Sequence, residues 1–502
     1  MNSSILLTRN AHKSPHQEAV VCGDRRMTYA ELDNVVHTLA NNLRRHHISK
    51  GDKVILFMPN VIEFVISYFA IHRIGAIVVP INAKFTDKEV KYVINHSNAS
   101  AIIAHEYLFD AVKNLNEPIL KLKTGEGNKD WLSFTDLLKS DLDKKIKCPL
   151  QNDEPCTMLY TSGTTGQPKG VLFSSHNVIS IAHMICVEME MKPESRILLM
   201  MPLSHSAPLH LFFMGGIIVG ATLVLTPSFS PKLLIETVEK EKTTHFFGAP
   251  VAYLLTAELL KSQTADLSSM KWWIYGGAPL SANEVRYVKQ VFQSDDFVCV
   301  YGLTEAGPSG SLLGKEEHDE KAGSIGKRAP LHTELRIVDE EGNDVAPNEV
   351  GEIIIRGEGN MLGYYRDDEA TKDVFMGDWI RTGDLAKRDE DGYIWVVDRK
   401  DDLIISGGVN IYPKEIEEVI LRYPGIQEVA VFGIPNQSWG ETVKAVIIGS
   451  EDIDMNQLHT FLQKHLAKHK IPRIIEQSEA LPRNASGKVL KHQLRQAEVS
   501  PS

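Results

Sequence analysis

Cysteine is scarce in this chain. Five are spread over 502 residues, at Cys22, Cys148, Cys156, Cys186 and Cys299, and none forms a CxxC pair. An odd number at wide spacing argues against a disulfide framework and against a cysteine-rich zinc site. It suits a reducing compartment, so a cytoplasmic location is expected. An excess of positive charge is also missing. Lys and Arg number 54 against 65 Asp and Glu, a net charge of −11. Duplex nucleic acid is gripped through basic footprints, so no nucleic-acid partner is expected. Long apolar runs are lacking too. The N-terminus offers only Ile5–Leu7 before Arg9, too short for a signal-peptide core. Residues 197–231 contain no Asp, Glu, Lys or Arg. A membrane span needs about 20 mostly apolar residues, and here Pro202, Ser204, His205, Ser206, Pro208 and His210 break up the first half. The stretch reads as strand, loop, buried helix and strand, and no integral membrane segment is expected. Neither an internal repeat nor a low-complexity tract occurs.

What remains is an ordinary globular composition, 43% hydrophobic and 24% charged. The length corresponds to about three folding units. Short apolar runs alternate with helical patterns over the first 300 residues. Val54–Met58, Ala76–Pro80, Thr157–Tyr160, Ile197–Met201, Thr222–Leu225, His245–Phe247, Trp272–Tyr275 and Val298–Tyr301 read as strands. Ile62–Ile71 and Asp87–His96 read as helices. Buried strands between helices predict doubly wound, largely parallel sheets. After about residue 323 the texture changes. Leu335–Val338, Glu352–Arg356 and Tyr393–Asp398 are strand-like and separated by turn signals, which predicts a small β-barrel-like subdomain over 323–400. From Asp401 onward, helices at Lys414–Tyr423 and Asn456–His469 and strands at Glu428–Gly433 and Val443–Ile448 predict a small α+β domain.

The strongest local signal is Thr161-Ser-Gly-Thr-Thr-Gly-Gln-Pro-Lys-Gly170, directly after a strand. Gly163, Gly166 and Gly170 let backbone approach a ligand closely. The hydroxyls of Thr161, Ser162, Thr164 and Thr165, with Lys169, can donate to phosphate oxygens. The glycine spacing is not that of a Walker A loop. A Gly/Ser/Thr loop by itself is more often plain surface; the preceding buried strand and the lysine favour a phosphate cradle. Further along stand Met201-Pro-Leu-Ser-His205, Tyr275-Gly-Gly-Ala-Pro-Leu-Ser281, Tyr301-Gly-Leu-Thr-Glu305, 381–402 (RTGDLAKRDEDGYIWVVDRKDD), 406–417 (SGGVNIYPKEIE) and Pro482-Arg-Asn-Ala-Ser-Gly-Lys488.

Seven motifs in this order resemble the adenylate-forming superfamily of acyl-CoA synthetases, peptide-synthetase adenylation domains and luciferases, over nearly the whole chain. The resemblance implies an adenylating domain over 1–400 and a small mobile domain over 401–502, with Asp401 as the hinge. It implies that the Thr161–Lys169 loop holds ATP phosphates and that Gly276, Gly277 and Ala278 lie along adenine. Tyr301 would stack on adenine beside Gly302, Thr304 would contact the α-phosphate, and Glu305 would hold Mg²⁺. Asp384 would take the ribose hydroxyls and Arg399 ribose and phosphate. Lys488 would bridge the substrate carboxylate and the α-phosphate. His205 would gate the carboxylate, and Gly407 and Gly408 would let the pantetheine arm of CoA pass. Taken singly, each residue also has a plain reading. Glu305 could be a surface carboxylate, Asp384 a turn cap, Lys488 a solvated side chain, His205 a structural histidine and Ser406–Gly408 a tight turn. The chain departs from the family pattern at Ser204, Val251 and Val409, where an aromatic, a threonine and a glutamate are common.

The resemblance thus implies an ATP-dependent acid–CoA ligase that makes acyl-AMP and then acyl-CoA, with ATP, Mg²⁺ and CoA as cofactor and co-substrates. A fatty acid of medium to long chain is the expected acid, because 205–209, 247–251 and 302–307 contain small and aliphatic residues and no Lys or Arg. Three alternatives stay open: an aryl or keto acid of the o-succinylbenzoate type, a carrier-protein pantetheine as the acyl acceptor, and a non-enzymatic nucleotide- or acyl-binding sensor on the same fold, against which Lys488, Glu305 and Lys169 argue. The oligomeric state is not legible.

Overall fold

The computed structural model describes residues 2–139, 146, 152–162, 168–436, 439–450, 453–483 and 489–499. These fall into two compact units, one made of 2–335 and Ile355–Ile380 and the other of Arg336–Ile354 and 381–499. The fold is mixed α/β, with a large N-terminal region of sheets and a small C-terminal domain.

The first unit holds two eight-stranded sheets. One runs Ser311–Leu313, Phe297–Tyr301, Trp272–Gly276, His245–Gly248, Arg196–Leu199, Thr222–Leu225, Glu18–Cys22, Arg25–Thr28. Its inner ladders are parallel, with Tyr275 opposite Cys299 and Gly248 opposite Tyr275. The other runs Gly363–Tyr364, Pro168–Ser174, Pro155–Ser162, Ile77–Pro80, Lys53–Phe57, Ala101–Ala104, Leu120–Lys123, Leu132–Ser133. Val54, Ile55, Leu56, Phe57, Val78 and Val79 are fully buried. Strands covered on both faces need such unbroken apolar runs, and crossover helices supply the cover. Tyr29–Arg45 is one of these helices. Thr28 and Glu31 form a reciprocal capping box at its start, and Leu32, Val36, Leu39 and Leu43 give it a buried stripe.

The charge-free stretch does contain a strand, a loop, a buried helix and a strand. Its helix opens with a π-helical segment, Ala207–Phe213, before the α-helix Met214–Val219. The described ends of the 161–170 motif lie on paired antiparallel strands, where Thr161 is opposite Lys169. Its returning strand, Pro168–Ser174, was not among the expected elements. The helix expected at 456–469 stops at His465.

In the second unit 384–388, the end of strand Trp379–Arg388, pairs with Ile394–Arg399 as a hairpin, with Asp384 opposite Arg399. A separate five-stranded sheet follows, ordered Val409–Ile411, Ile404–Ser406, Gly440–Gly449, Ile426–Asn436, with Ile474–Gln477 parallel to Gly440–Gly449. Helices Pro413–Ile420 and Met455–His465 bury Ile416, Ile420, Leu458 and Leu462 against Val431, Val443, Ala445 and Ile447. No helix among the described residues is long and apolar enough to cross a membrane.

Candidate active site

Parallel register brings three strand ends of the first sheet together. Gly276 lies opposite Val300, and Gly248 opposite Tyr275. The segments that leave this edge are the ones singled out above: Tyr301–Glu305, Gly276–Ala278, the turn into helix Pro250–Leu260, and the loop that carries His205. Open α/β sheets bind ligands at their carboxyl edge. The glycines there do different work. A Cβ on Gly276 would lie 2.6 Å from the Val300 carbonyl oxygen, so this glycine serves strand packing. Gly277 has φ +83°, is exposed and faces open space, as does Ala278 beside it. A Cβ on Gly302 would lie 2.5 Å from Pro308, because 302–308 folds back over itself through the short turn Thr304–Ala306. Val251, on the first turn of its helix, is 58% exposed.

His205 follows the turn closed by its own N–H on the Pro202 carbonyl (3.1 Å). The residue is exposed, and desolvation by surrounding protein atoms pushes its pKa below the usual histidine value. Ser206 and Thr304 share a hydroxyl contact at 3.1 Å, tying this loop to Tyr301–Glu305. Glu305 is half-buried. Its carbonyl accepts from the Met361 N–H at 2.8 Å, and one carboxylate oxygen accepts from the Tyr364 hydroxyl at 2.8 Å. The Lys169 ammonium sits over the same Tyr364 ring, 4.9 Å from its centroid. Burial first, and then the Glu305 charge, raise the Tyr364 phenol pKa, so the hydroxyl stays a donor. Thr161 is half-buried across the hairpin from Lys169. Ser162 is placed by its backbone in the same strand. Gly163, Thr164 and Thr165 lie outside the described residues.

In the second unit Asp384 is buried and Arg399 bonds it, Nε to Oδ1 at 2.7 Å. Arg399 Nη1 also donates to the Thr382 carbonyl at 3.1 Å. The two residues expected on ribose and phosphate are therefore strand partners in one hairpin. Asp401 lies in the turn Lys400–Asp402, and its carbonyl accepts from Arg495 Nη1 at 3.0 Å. Gly407 (φ +60°) and Gly408 (φ +79°) form the turn between two short strands. A Cβ on Gly407 would fall 2.7 Å from the Trp439 ring, whereas one on Gly408 would meet nothing within 4 Å. Lys488 lies outside the described residues.

Residues 7–365 match the family of AMP-binding enzymes, and 415–488 match the AMP-binding enzyme C-terminal domain. The chain belongs to the AMP-binding enzyme family. A feruloyl-CoA synthase of Amycolatopsis sp is 36% identical over 491 residues, 97% of each chain. The long-chain-fatty-acid–CoA ligase FadD13 of Mycobacterium tuberculosis is 31% identical over 504 residues, covering 99% of this chain and 98% of its own. Among solved structures, the o-succinylbenzoate CoA synthetase of Bacillus subtilis matches twice at 28% identity. In complex with its acyl-adenylate it has a TM-score of 0.87 over 99% of this chain and 98% of its own. With ATP and magnesium ion the TM-score is 0.86, over 97% and 98%. This AMP-binding enzyme is an AMP-forming acid–thiol ligase, an ATP-dependent acid–CoA ligase that uses ATP and CoA.

Two residues of this enzyme that contact these segments were not read from the sequence. Asn60 is buried, donates to the carbonyls of Leu199 (3.0 Å) and Met201 (2.9 Å), and accepts from the Leu203 N–H (3.0 Å). It pins the loop that presents His205. Tyr364 is the other. Both act on chain segments dozens of residues away, and their own neighbours in sequence carry no motif that announces it. The Tyr364-Tyr365 pair after Gly363 is the one local sign, and it reads equally well as an ordinary strand.

Proposed function

We propose that this ligase activates an apolar monocarboxylic acid, with medium- to long-chain fatty acids as its first class of substrate. The observation that carries the reading is the company at one sheet edge: His205, Phe247–Val251 and Gly302–Gly307 share it, and 205–209, 247–251 and 302–307 contain no Lys or Arg. A second carboxylate buried there would lack a partner, which is strongly disfavoured. Methylenes would instead gain about 0.8 kcal/mol each on burial. A second reading, an aryl-substituted acid, is favoured by Phe247, whose ring stacks on Phe212 at 5.1 Å, and by the similarity to a feruloyl-CoA synthase.

In the first step a carboxylate oxygen bonds the α-phosphorus of ATP and the bond to pyrophosphate breaks. In the second the CoA sulfur bonds the acyl carbon, AMP leaves, and the thiol proton passes to solvent. Thr161, Ser162, Gly163, Thr164, Thr165 and Lys169 cradle phosphates. Gly276, Gly277, Ala278, Tyr301 and Gly302 receive adenine, Thr304 the α-phosphate, and Asp384 and Arg399 the ribose. Lys488 stabilises the charge that builds in the displacement, and His205 borders the carboxylate. Magnesium neutralises phosphate charge when bound. The donor set fits it: Glu305 keeps one oxygen on Tyr364, and no group of three or more ligating side chains occurs among the described residues. Magnesium commonly takes one or two carboxylates and leaves the rest of its shell to substrate phosphates and water. Residues 1–400 form the adenylating domain in this proposal, with the β-rich part at 323–400. Residues 401–502 turn about Asp401 between the two steps, and Gly407 and Gly408 then flank the pantetheine arm.

The test is kcat/KM for acetate, malonate, octanoate, palmitate, ferulate and o-succinylbenzoate at matched ATP, first by pyrophosphate exchange and then with CoA or a holo carrier protein. Rates that rise from acetate to octanoate support the fatty-acid reading. A best rate on ferulate selects the aryl reading, and a best rate on malonate or o-succinylbenzoate defeats both.

A further inference from the structure

One side chain stands between the two charges that the site needs most. Tyr364 belongs to the short strand Gly363–Tyr364, which pairs with the returning strand of the phosphate-loop hairpin. The segment around it is fastened on both sides. The N–H groups of Leu362 and Tyr365 bond the carbonyls of Leu172 (2.8 Å) and Gly170 (2.7 Å), and the Met361 N–H bonds the Glu305 carbonyl. The Tyr364 N–H is held by Thr371 Oγ1 at 2.9 Å. Alternation along a strand sends neighbouring side chains to opposite faces. Tyr365 meets His96 and Lys53, so Tyr364 is left to meet Glu305 and Lys169. Its hydroxyl donates to one Glu305 oxygen, and its ring face carries the Lys169 ammonium.

We infer that Tyr364 is a positioning residue of the adenylating centre: it orients the Glu305 carboxylate for the metal through its hydroxyl and stations Lys169 for the phosphates through its ring. The inference rests on the reading of Glu305 as the magnesium ligand. The physical case has two parts. A carboxylate with one oxygen fixed presents the other in a single direction, which lowers the cost of organising a metal's shell. A lysine and a glutamate on neighbouring segments would otherwise satisfy each other and be unavailable to ligands. The phenol gives each charge a partner that is not the other: a weak cation–π contact, easily surrendered to a phosphate, and a single hydrogen bond that leaves the carboxylate charged. A tyrosine that only filled space would need neither its oxygen nor its quadrupole.

Two substitutions separate these parts. Tyr364→Phe keeps the ring and removes the donor; Tyr364→Leu removes both. The readouts are Mn²⁺ binding followed by electron paramagnetic resonance with α,β-methylene-ATP, the Kd of that analogue without metal, and the Mg²⁺ dependence of pyrophosphate exchange. Tyr364→Phe is expected to weaken Mn²⁺ binding about tenfold, the lower end for a hydrogen bond to a charged group, with the metal-free analogue Kd unchanged. The half-saturating Mg²⁺ for exchange should rise in parallel. Tyr364→Leu should in addition weaken the metal-free analogue through Lys169. Glu305→Gln is the control. If it weakens Mn²⁺ binding and Tyr364→Phe does not, the inference falls and the magnesium reading stands. If Glu305→Gln leaves Mn²⁺ binding intact, both fall. Adding Tyr364→Phe to Glu305→Gln should produce no further loss of metal affinity; an additive loss would mean that the tyrosine acts by another route. Should Tyr364→Leu fail to fold, the hydroxyl half is still decided by Tyr364→Phe.

Discussion

His210 lies within the π-helical segment Ala207–Phe213, fully buried, and among the described residues neither ring nitrogen meets a donor or acceptor. Two other buried histidines are bonded: His72 through Nε2 to the Cys156 carbonyl (2.9 Å) and His245 through Nε2 to the Met189 carbonyl (2.8 Å). Desolvation pulls all three pKa values down, to about 3 for His210 and about 4 for His72 and His245. Above the unfolded value near 6.5 both states are neutral and nothing is lost. Below it the unfolded chain binds protons that the folded one refuses, so stability falls as pH drops from about 6.5 toward 4, by about 1.4 kcal/mol per pH unit for each histidine. Midpoints of urea unfolding at pH 7.5, 6, 5 and 4.5 should fall steeply below pH 6. His210→Leu is expected to match or exceed the parent at pH 7.5, because an unsatisfied buried polar group is replaced by an apolar one. Its acid slope should be shallower by about one histidine's share. A slope identical to the parent's would show that His210 reaches a proton partner when the chain is folded.

Eight of the sixteen strands in the first unit's two large sheets were legible because each is a short apolar run between helical patterns, and Thr222–Leu225 coincides with its expected bounds, whereas Glu18–Cys22, Ala101–Ala104 and Leu120–Lys123 were not among the expected elements. What was illegible has physical causes. The π-helical opening of the buried helix leaves no trace in a stretch that is apolar all round, since periodicity needs contrast. The returning strand Pro168–Ser174 begins inside the Gly- and Lys-rich motif, and its β-signal is only Val171-Leu-Phe173. The helix after Met455 stops at His465 because Leu466 turns extended and the chain then feeds the strand Ile474–Gln477 beyond Pro472. Most of the candidate site was legible through its local motifs, whereas Asn60 and Tyr364 work across long separations that no local motif records. The turn Ser406–Val409 illustrates the finer grain. Both glycines need positive φ, but Gly407 backs onto Trp439 and Gly408 faces open space. Gly408→Leu would therefore project a side chain where the pantetheine arm is proposed to pass. It should retain pyrophosphate exchange and lose thioester formation by at least about tenfold, some 1.4 kcal/mol of transition-state stabilisation. Loss of exchange first would place the glycine in the adenylating step instead.

At the scale of the whole molecule, one chain must run two displacements at one acyl carbon and phosphorus pair with different demands. Adenylation gathers negative charge between a carboxylate and a triphosphate, in a protein whose net charge is already −11. The C-terminal region runs against that sign: from Lys464 to Arg495 it holds eight Lys or Arg and two Glu. In the proposed mechanism a mobile domain would resolve the conflict by delivering a cation for the first step and withdrawing it for the second, since thiolysis begins from an adenylate already stripped of pyrophosphate. Lys488, which lies outside the described residues, is the lysine proposed for that delivery. Removing it should cost the adenylating step what one preorganised charge is worth, about 2.7–4 kcal/mol or roughly 10²–10³ in rate. Lys488→Ala is therefore expected to lose acid-dependent pyrophosphate exchange by that factor while its Kd for ATP changes little. The same variant, given preformed acyl-AMP and CoA, should make thioester at close to the parent rate. Equal loss in the two assays from a folded variant would mean that the lysine serves both displacements, and a single static arrangement of the chain would then account for the chemistry as well as a moving one.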